Sequence, residues 1–274
     1  LIFFKMKTKV VLITGGSSGI GKAIGIHLKS KGYIVYGTTR DVSRYPSFTD
    51  FPLLEMNVRN VETIKQCINT LLGKENKIDV LINNAGIGIT GPMEETPHEE
   101  VLNAFATNFN GPLNVMNNIL PIMRSQKKGL IINITSIAGY MGLPYRGIYS
   151  ASKGALEIVT ESYRMETKQF GVKLTTLAPG DFATNIASGR YHTPVYDNSP
   201  YKSAYKNTLE TIDADVDSGG DPADVGRKIA KIIETKNPKP HYKVGSFIQK
   251  FSLTLKNILP GLWFEKLLES HSSH

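Results

Sequence analysis

The sequence predicts an α/β fold in a single domain, a doubly wound parallel sheet with helices on both faces. Three observations predict it. Short apolar, β-branched runs alternate with amphipathic helical patterns from the N-terminus onward. Three glycines stand between the first such run and the first such helix, and 274 residues suit one α/β unit better than two domains. Hydrophobic residues make up 41% of the chain and charged residues 20%, so a sizeable core is available and fibrous or disordered classes are excluded.

Residues 9–14 read as a buried strand. Residues 20–31 place Ile20, Ala23, Ile24, His27 and Leu28 at helical spacing, and Gly32 ends that helix. Residues 33–38 form a second strand and 53–56 a third. A helix over 61–72 gathers Ile64, Cys67, Ile68 and Leu71 on one face, and residues 80–83 follow as the fourth strand. A long helix is expected over 96–124, with Pro97 suited to its first turn and Pro121 bending its end. Then come a strand at 130–134, a helix at 148–170, a strand at 173–178, a helix at 222–234 and a last strand at 241–244.

Two segments break the alternation. Residues 181–220 are rich in Tyr, Ser, Asn, Asp, Gly and Pro with weak periodicity, and they follow a strand end where ligand-covering loops belong. They read as a substrate-facing lid. In the tail, Phe247, Ile248, Phe251, Leu255, Ile258 and Leu259 share one helical face ahead of Pro260-Gly261. Leu262, Trp263, Phe264, Leu267 and Leu268 follow, with Lys250, Lys256 and Lys266 among them. Three readings of the tail stand in order: packing on the sheet, joining a dimer, or peripheral association with a membrane surface.

The formal net charge is +8, but the lysines are scattered without a dense basic run, so no nucleic-acid partner is expected. Cys67 is the only cysteine; no internal disulfide can form, and a reducing, cytoplasmic location is expected. No run approaches the roughly 18 apolar residues of a membrane span. Residues 1–5 do not read as a signal peptide, and Met6 looks a more natural start, which makes them an upstream extension. The histidines, His27 and His98 included, have no partners at metal-ligand spacing, so no metal is expected.

Gly15, Gly19 and Gly21 lie where the backbone must bend sharply and approach a phosphate with no Cβ in the way. The helix that follows points its free N–H groups and positive dipole at a pyrophosphate. Thr14-Gly15-Gly16-Ser17-Ser18-Gly19-Ile20-Gly21 matches the form TGxxxGIG, and Asn83-Asn84-Ala85-Gly86 follows the fourth strand as NNAG. Ser136 stands at a strand end, and Tyr149 precedes Lys153 by one helical turn. With 12 tyrosines and many lysines, about one Tyr-x-x-x-Lys is expected by chance, so that pair carries weight only beside the others.

Together these motifs resemble the short-chain dehydrogenase/reductase family, over about residues 8–245. Some phrases are similar to its 17-beta-hydroxysteroid and retinol dehydrogenase-like members. The resemblance implies an NAD(P)-binding, Rossmann-like catalytic domain over residues 6–245, with the 181–220 lid inside it and a helical tail over 246–274. It implies an NADP-dependent oxidoreductase that interconverts a ketone or aldehyde with an alcohol, on a small hydrophobic substrate.

Within it, Tyr149 is the acid/base, Lys153 lowers the phenol pKa and grips the nicotinamide ribose, and Ser136 holds the carbonyl oxygen. A phenol with an ordinary pKa of about 10 needs such adjustment at neutral pH. Asn108 matches the asparagine that helps hold a proton-relay water, with Asn110 a nearby decoy. The cofactor set is Gly15, Ser17, Ser18, Gly19, Ile20, Gly21, Arg40, Asn57, Val58, Asn84, Ala85, Gly86, Pro179, Gly180 and Thr184, with Tyr149 and Lys153. Pro179, Gly180 and Thr184 match PGxxxT, which contacts the carboxamide.

NADP(H) is preferred over NAD(H) because Thr39 stands where an acid would bind the free ribose hydroxyls. Arg40 after it can pair with a 2′-phosphate, and Ser17 adds a contact. Asn57-Val58 departs from the family's Asp-Val near the adenine. A homodimer or homotetramer built on the helices at 96–124 and 148–170 is also implied. The alternative class is a catalytically silent dinucleotide-binding regulator or scaffold, which the complete Ser, Tyr, Lys and Asn set argues against.

Overall fold

A computed structural model describes residues 8–182, 189–217 and 219–272. Strands β1 (Val10–Ile13), β2 (Ile34–Thr39), β3 (Leu53–Glu55) and β4 (Val80–Asn83) are separated by helices α1 (Gly19–Ser30) and α2 (Val61–Glu75). A short strand β5 (Ile89–Thr90) follows, then α3 (His98–Phe105), α4 (Gly111–Ser125), β6 (Gly129–Ile134), α5 (Gly147–Thr167) and β7 (Val172–Pro179). The chain continues through β8 (Tyr191–His192), α6 (Lys202–Asp217), α7 (Ala223–Glu234), β9 (His241–Val244), α8 (Phe247–Ile258) and α9 (Gly261–Ser272).

Seven strands form one parallel sheet in the order β3-β2-β1-β4-β6-β7-β9. Chain order runs outward from β1 in one direction and returns to β4 to run the other way. The crevice between the C-terminal ends of β1 and β4 is therefore the topological switch point, where open α/β sheets bind ligands.

The alternation of side chains along β1 explains why the strand is apolar throughout. Val10 and Leu12 enter a core with Ile64, Leu71, Val115 and Ile119 from α2 and α4. Val11 and Ile13 enter the opposite core with Ile24 and Leu28 of α1 and Ile229 and Ile233 of α7. All four β1 residues are 0% exposed, as a strand covered on both faces must be. Cys67 belongs to the first core, and burial pushes its thiol up to about 12.

The bounds of β4 and β9 fall where the alternation predicts, and most other elements shift by one to three residues. Three differences matter for the site. First, the long helix expected over 96–124 is interrupted at residues 106–110 by a π-helical turn. Such a turn inserts an extra residue and has no apolar-spacing signature. Pro97 caps α3 from just outside, and Pro121 lies inside α4. Second, β5 and β8 pair in parallel as a separate two-stranded sheet, too short to be read from alternation.

Third, the segment at 181–220 is not irregular throughout. It contains α6, whose Tyr205, Thr208 and Ile212 are buried at spacings of three and four. Polar residues around them hide that stripe. A parallel bridge between Phe182 and Gly220 closes the base of the segment.

The tail packs against Ala178 at the end of β7 and against Ile137 and Met141. Its helix α8 starts with a capping box in which the Ser246 hydroxyl accepts from the Gln249 N–H and the Gln249 amide accepts from the Ser246 N–H. Leu253 of α8 and Phe264 of α9 join Ile137, Met141 and Ala178 in a third apolar cluster.

Candidate active site

The glycine turn after β1 is built against the loop after β4. The Thr14 hydroxyl accepts from the N–H groups of Asn84 (2.9 Å) and Ala85 (3.0 Å), and the Asn84 amide donates to the carbonyls of Thr14 and Gly15, both at 3.0 Å. Gly15 (φ +64°) and Gly19 (φ +51°) take the left-handed backbone that favours glycine. A Cβ on Gly21 would stand 2.3 Å from the Gly15 carbonyl oxygen and 2.5 Å from the Asn84 amide nitrogen. The two loops can interlock only if that position is glycine.

Ser18 precedes α1 in extended conformation, makes no side-chain cap, and no acid occupies the first turn. The helix thus directs uncapped N–H groups and its dipole into the crevice, a fit for a pyrophosphate.

The crevice is a cavity of about 630 Å³. Of the cofactor residues expected from sequence, Gly15, Ser17, Ser18, Gly19, Ile20, Arg40, Asn57, Val58, Asn84, Ala85, Gly86, Pro179 and Gly180 line it. Ser136, Tyr149 and Lys153 line the same cavity. Gly21 lies beneath the turn and Asn108 behind the wall, so neither lines it. Thr184 falls outside the described residues.

At the ends of β2 and β3, Thr39 is buried and Arg40 is exposed, and Arg44 and Arg59 join Arg40 in the lining. Sequence reasoning missed those two arginines, which no motif marks. The Asn57 side-chain carbonyl accepts from the Arg59 N–H at 3.0 Å, so its oxygen shapes its own turn. Asp41 also lines the cavity, with its carboxylate accepting from the Ser43 N–H and hydroxyl.

On the facing wall, Ser136 caps a short 3-10 turn (Ile137–Tyr140) and its hydroxyl accepts from the Ala138 N–H at 3.2 Å. Tyr149 and Lys153 stand one turn apart on α5. Burial pushes the Tyr149 phenol above its ordinary value. The Arg146 guanidinium, a hydrogen bond with Ser136 and the Arg190 guanidinium pull it down, while Asp181 adds to the rise. Lys153, expected to favour the phenolate by its positive charge, has its ammonium 6.0 Å from the Tyr149 ring centroid and donates to the Ile134 carbonyl at 3.0 Å. The Lys153 side chain is buried, which draws its pKa down to about 8.

Arg146 and Arg190 are further site residues that the motifs do not contain. Arg190 is held by Asp213 of α6 at 2.9 Å, with its side chain only 6% exposed, and Arg146 lies 3.9 Å from Asp181. Their signal appears only once the lid is folded. Two turns beyond Tyr149, Glu157 locks α5 in place. Its carboxylate accepts from Tyr140 and from Thr176 (2.6 Å), and His241 Nδ1 lies 2.8 Å away.

Asn108 occupies the π-helical turn, fully buried. Its side-chain carbonyl accepts from the Ile87 N–H, and its amide donates to the Ile87 carbonyl and to the Ser152 hydroxyl. A Cβ on Gly86 would come within 3.1 Å of Asn108 Oδ1 and 3.3 Å of Lys153 Nζ. The NNAG loop, the π-helical turn and α5 therefore meet at one point.

A parallel sheet whose switch point opens into such a cavity, with a hydroxyl pair and a buried ammonium opposite a phosphate cradle, defines a nicotinamide-dependent oxidoreductase. The chain belongs to the short-chain dehydrogenase family, whose profile, described as short chain dehydrogenase, matches residues 9–194. It is 38% identical over 256 residues to the 3-ketodihydrosphingosine reductase of Bacteroides thetaiotaomicron, covering 93% of this chain and 94% of that one. A solved short-chain dehydrogenase from Streptomyces avermitilis superposes with a TM-score of 0.80 at 29% identity, covering 96% of this chain and 98% of that one. The structure of ElxO with NADP bound gives a TM-score of 0.70 at 27% identity, covering 86% and 97%. The protein is thus an NAD(P)-dependent dehydrogenase/reductase.

Proposed function

We propose that the protein uses NADP(H) to interconvert a ketone and an alcohol on a lipophilic substrate, working in the cell as a reductase. The observation that carries this reading is the shared cavity: Ser136, Tyr149 and Lys153 line the same space as the glycine turn. Arg40, Arg44 and Arg59 at the ends of β2 and β3, with Thr39 in place of an acid, support a 2′-phosphate in that pocket.

Bound there, the dinucleotide supplies or accepts the hydride. Gly15, Ser17, Ser18, Gly19 and Ile20 would hold its phosphates, and Asn57, Val58, Asn84, Ala85 and Gly86 its adenosine side. Pro179 and Gly180 would lie beside the carboxamide, and Thr184 is proposed to join them. Ser136 donates a hydrogen bond to the substrate carbonyl oxygen. Tyr149 donates the phenolic proton to that oxygen as the alcohol forms, and takes it back in the reverse direction. Arg146 and Arg190 favour the phenolate left behind, and Lys153 grips the ribose. Asn108 holds Ile87 and Gly86 in place behind Lys153 and the proton-relay path.

The relative named 3-ketodihydrosphingosine reductase makes long-chain ketones the first substrates to test. The exposed Ile158 and Met165 of α5 support a homodimer or homotetramer through α4 and α5, and a cytoplasmic location accords with the single buried thiol. The test is oxidation of NADPH, and separately of NADH, with a panel of short and long-chain ketones. Turnover with NADPH and a long-chain ketone supports the reading. Tight NADPH binding with no turnover across the panel would replace it with a silent regulator.

A further inference from the structure

We propose that the outer face of α8, with the first turn of α9, docks on an anionic lipid surface. Helix α8 has two apolar faces, and only one is covered. Gln249 and Leu253 face inward, and Lys256, itself exposed, reaches back to the domain. There Leu253 is buried, the Gln249 amide donates to Asp181 at 2.7 Å, and Lys256 donates to the Tyr140 carbonyl.

Phe247, Phe251 and Ile258 fall within about 40° of one another on the side away from Leu253, at about 100° of turn per residue. The exposures are 75% for Phe247, 79% for Ile248, 45% for Phe251 and 72% for Ile258, so among the described residues this face is largely uncovered. The rings of Phe247 and Phe251 stack with centroids 5.6 Å apart. Just past Pro260, Leu262 (72%) and Trp263 (66%) are also exposed.

Charge decides what covers it. Helix α8 contains Lys250 and Lys256 and no acidic residue, and Lys250 is exposed on the flank of the apolar face. If two copies met symmetrically through α8, each Lys250 would lie against a helix that carries no carboxylate to neutralise it. An anionic bilayer offers hydrocarbon for the phenylalanines, an interface for Trp263 and negative headgroups for Lys250. Among the described residues no helix is long and apolar enough to cross a membrane, so the association is peripheral.

Helix α8 also borders the cavity. Asp181 lines the cavity and accepts from Gln249, while Gln249 Oε1 fills the space where a Cβ on Gly180 would be, 2.0 Å away. Docking through the outer face of α8 would hold this rim about one helix diameter, roughly 10 Å, from the lipid. The docking itself does not depend on the proposed reaction.

Flotation of the full chain with phosphatidylcholine vesicles, with and without phosphatidylglycerol, tests it. The protein is expected to float with the anionic vesicles. Replacing Phe247, Phe251 and Ile258 together by serine should reduce partitioning at least tenfold, with an unchanged melting temperature showing that the fold is kept. Lys250→Glu, which leaves the apolar face intact, should reduce partitioning on anionic vesicles by about fivefold or more and leave neutral vesicles unaffected. No flotation of the native protein, or flotation unchanged in both variants, would overturn the proposal. So would absence of lipid binding together with a mass in light scattering that the triple variant halves, since a second copy would then cover the face.

Discussion

The side chain of Asn108 closes a two-bond ring with the backbone of Ile87: its carbonyl oxygen accepts from the Ile87 N–H at 2.8 Å and its amide donates to the Ile87 carbonyl at 2.9 Å. One buried amide thereby fixes the segment that carries Gly86 and Gly88 along the cavity. Asn108→Ala leaves both backbone groups of Ile87 without those partners and should lower stability by about 1–3 kcal/mol. Turnover should fall further than that loss explains, because Gly86 lies against Lys153. Denaturant melts beside kcat measurements check both. Asn108→Asp keeps the acceptor and loses the donors, so an intermediate effect is expected.

The glycine turn gives a matched pair of substitutions. Gly21→Ala would drive a methyl to within 2.3 Å of the Gly15 carbonyl, so the turn must open and nucleotide affinity should drop by more than tenfold. Gly73→Ala, on α2 with no atom within 4 Å of the new methyl, should instead stabilise the protein by about 0.5–1 kcal/mol and leave affinity alone. Nucleotide titration by fluorescence and thermal melts distinguish the two.

Lys153 predicts a pH dependence of stability. Its folded pKa is drawn down to about 8 from 10.5, so the unfolded chain binds more protons between those values. Below pH 8 the ammonium is charged in both states and the burial penalty is fully present. As pH rises the folded protein releases the proton first, and stability increases. Without added nucleotide, the native protein should gain about 2 kcal/mol relative to Lys153→Met between roughly pH 7 and pH 9.5. Urea unfolding of the two proteins across that range is the check, and parallel curves would contradict the shift.

Arg40 should set cofactor choice. Arg40→Ala is expected to weaken NADPH at least tenfold and NADH little, read as separate Kd values. The combination of Thr39→Asp with Arg40→Ala should reverse the preference, because a carboxylate there repels the 2′-phosphate and accepts from the free ribose hydroxyls.

Much of this molecule was legible in its sequence, for physical reasons that differ by element. The residues of β1 are apolar at every position because both faces are covered, and the interlocked glycines cannot be replaced without collision, so strand and turn declare themselves. The Tyr149 and Lys153 pair is weak alone and gains meaning from Ser136, which sequence places only at a strand end. The π-helical turn at Asn108 was hidden because it inserts a residue without altering composition. Helix α6 was hidden because its buried stripe, Tyr205, Thr208 and Ile212, is diluted by polar neighbours. Arg146 and Arg190 could not be found at all from spacing. Folding of the lid brings Arg190 to Asp213 and to the cavity.

The most direct test of the account is Tyr149→Phe, which removes one oxygen and leaves the ring against Lys153. The variant should bind NADPH with a Kd within about threefold of the native value while ketone reduction falls by at least a thousandfold, in line with loss of a positioned proton donor. Turnover near the native rate with binding intact would contradict the assignment of Tyr149 as the acid/base and the reaction built upon it.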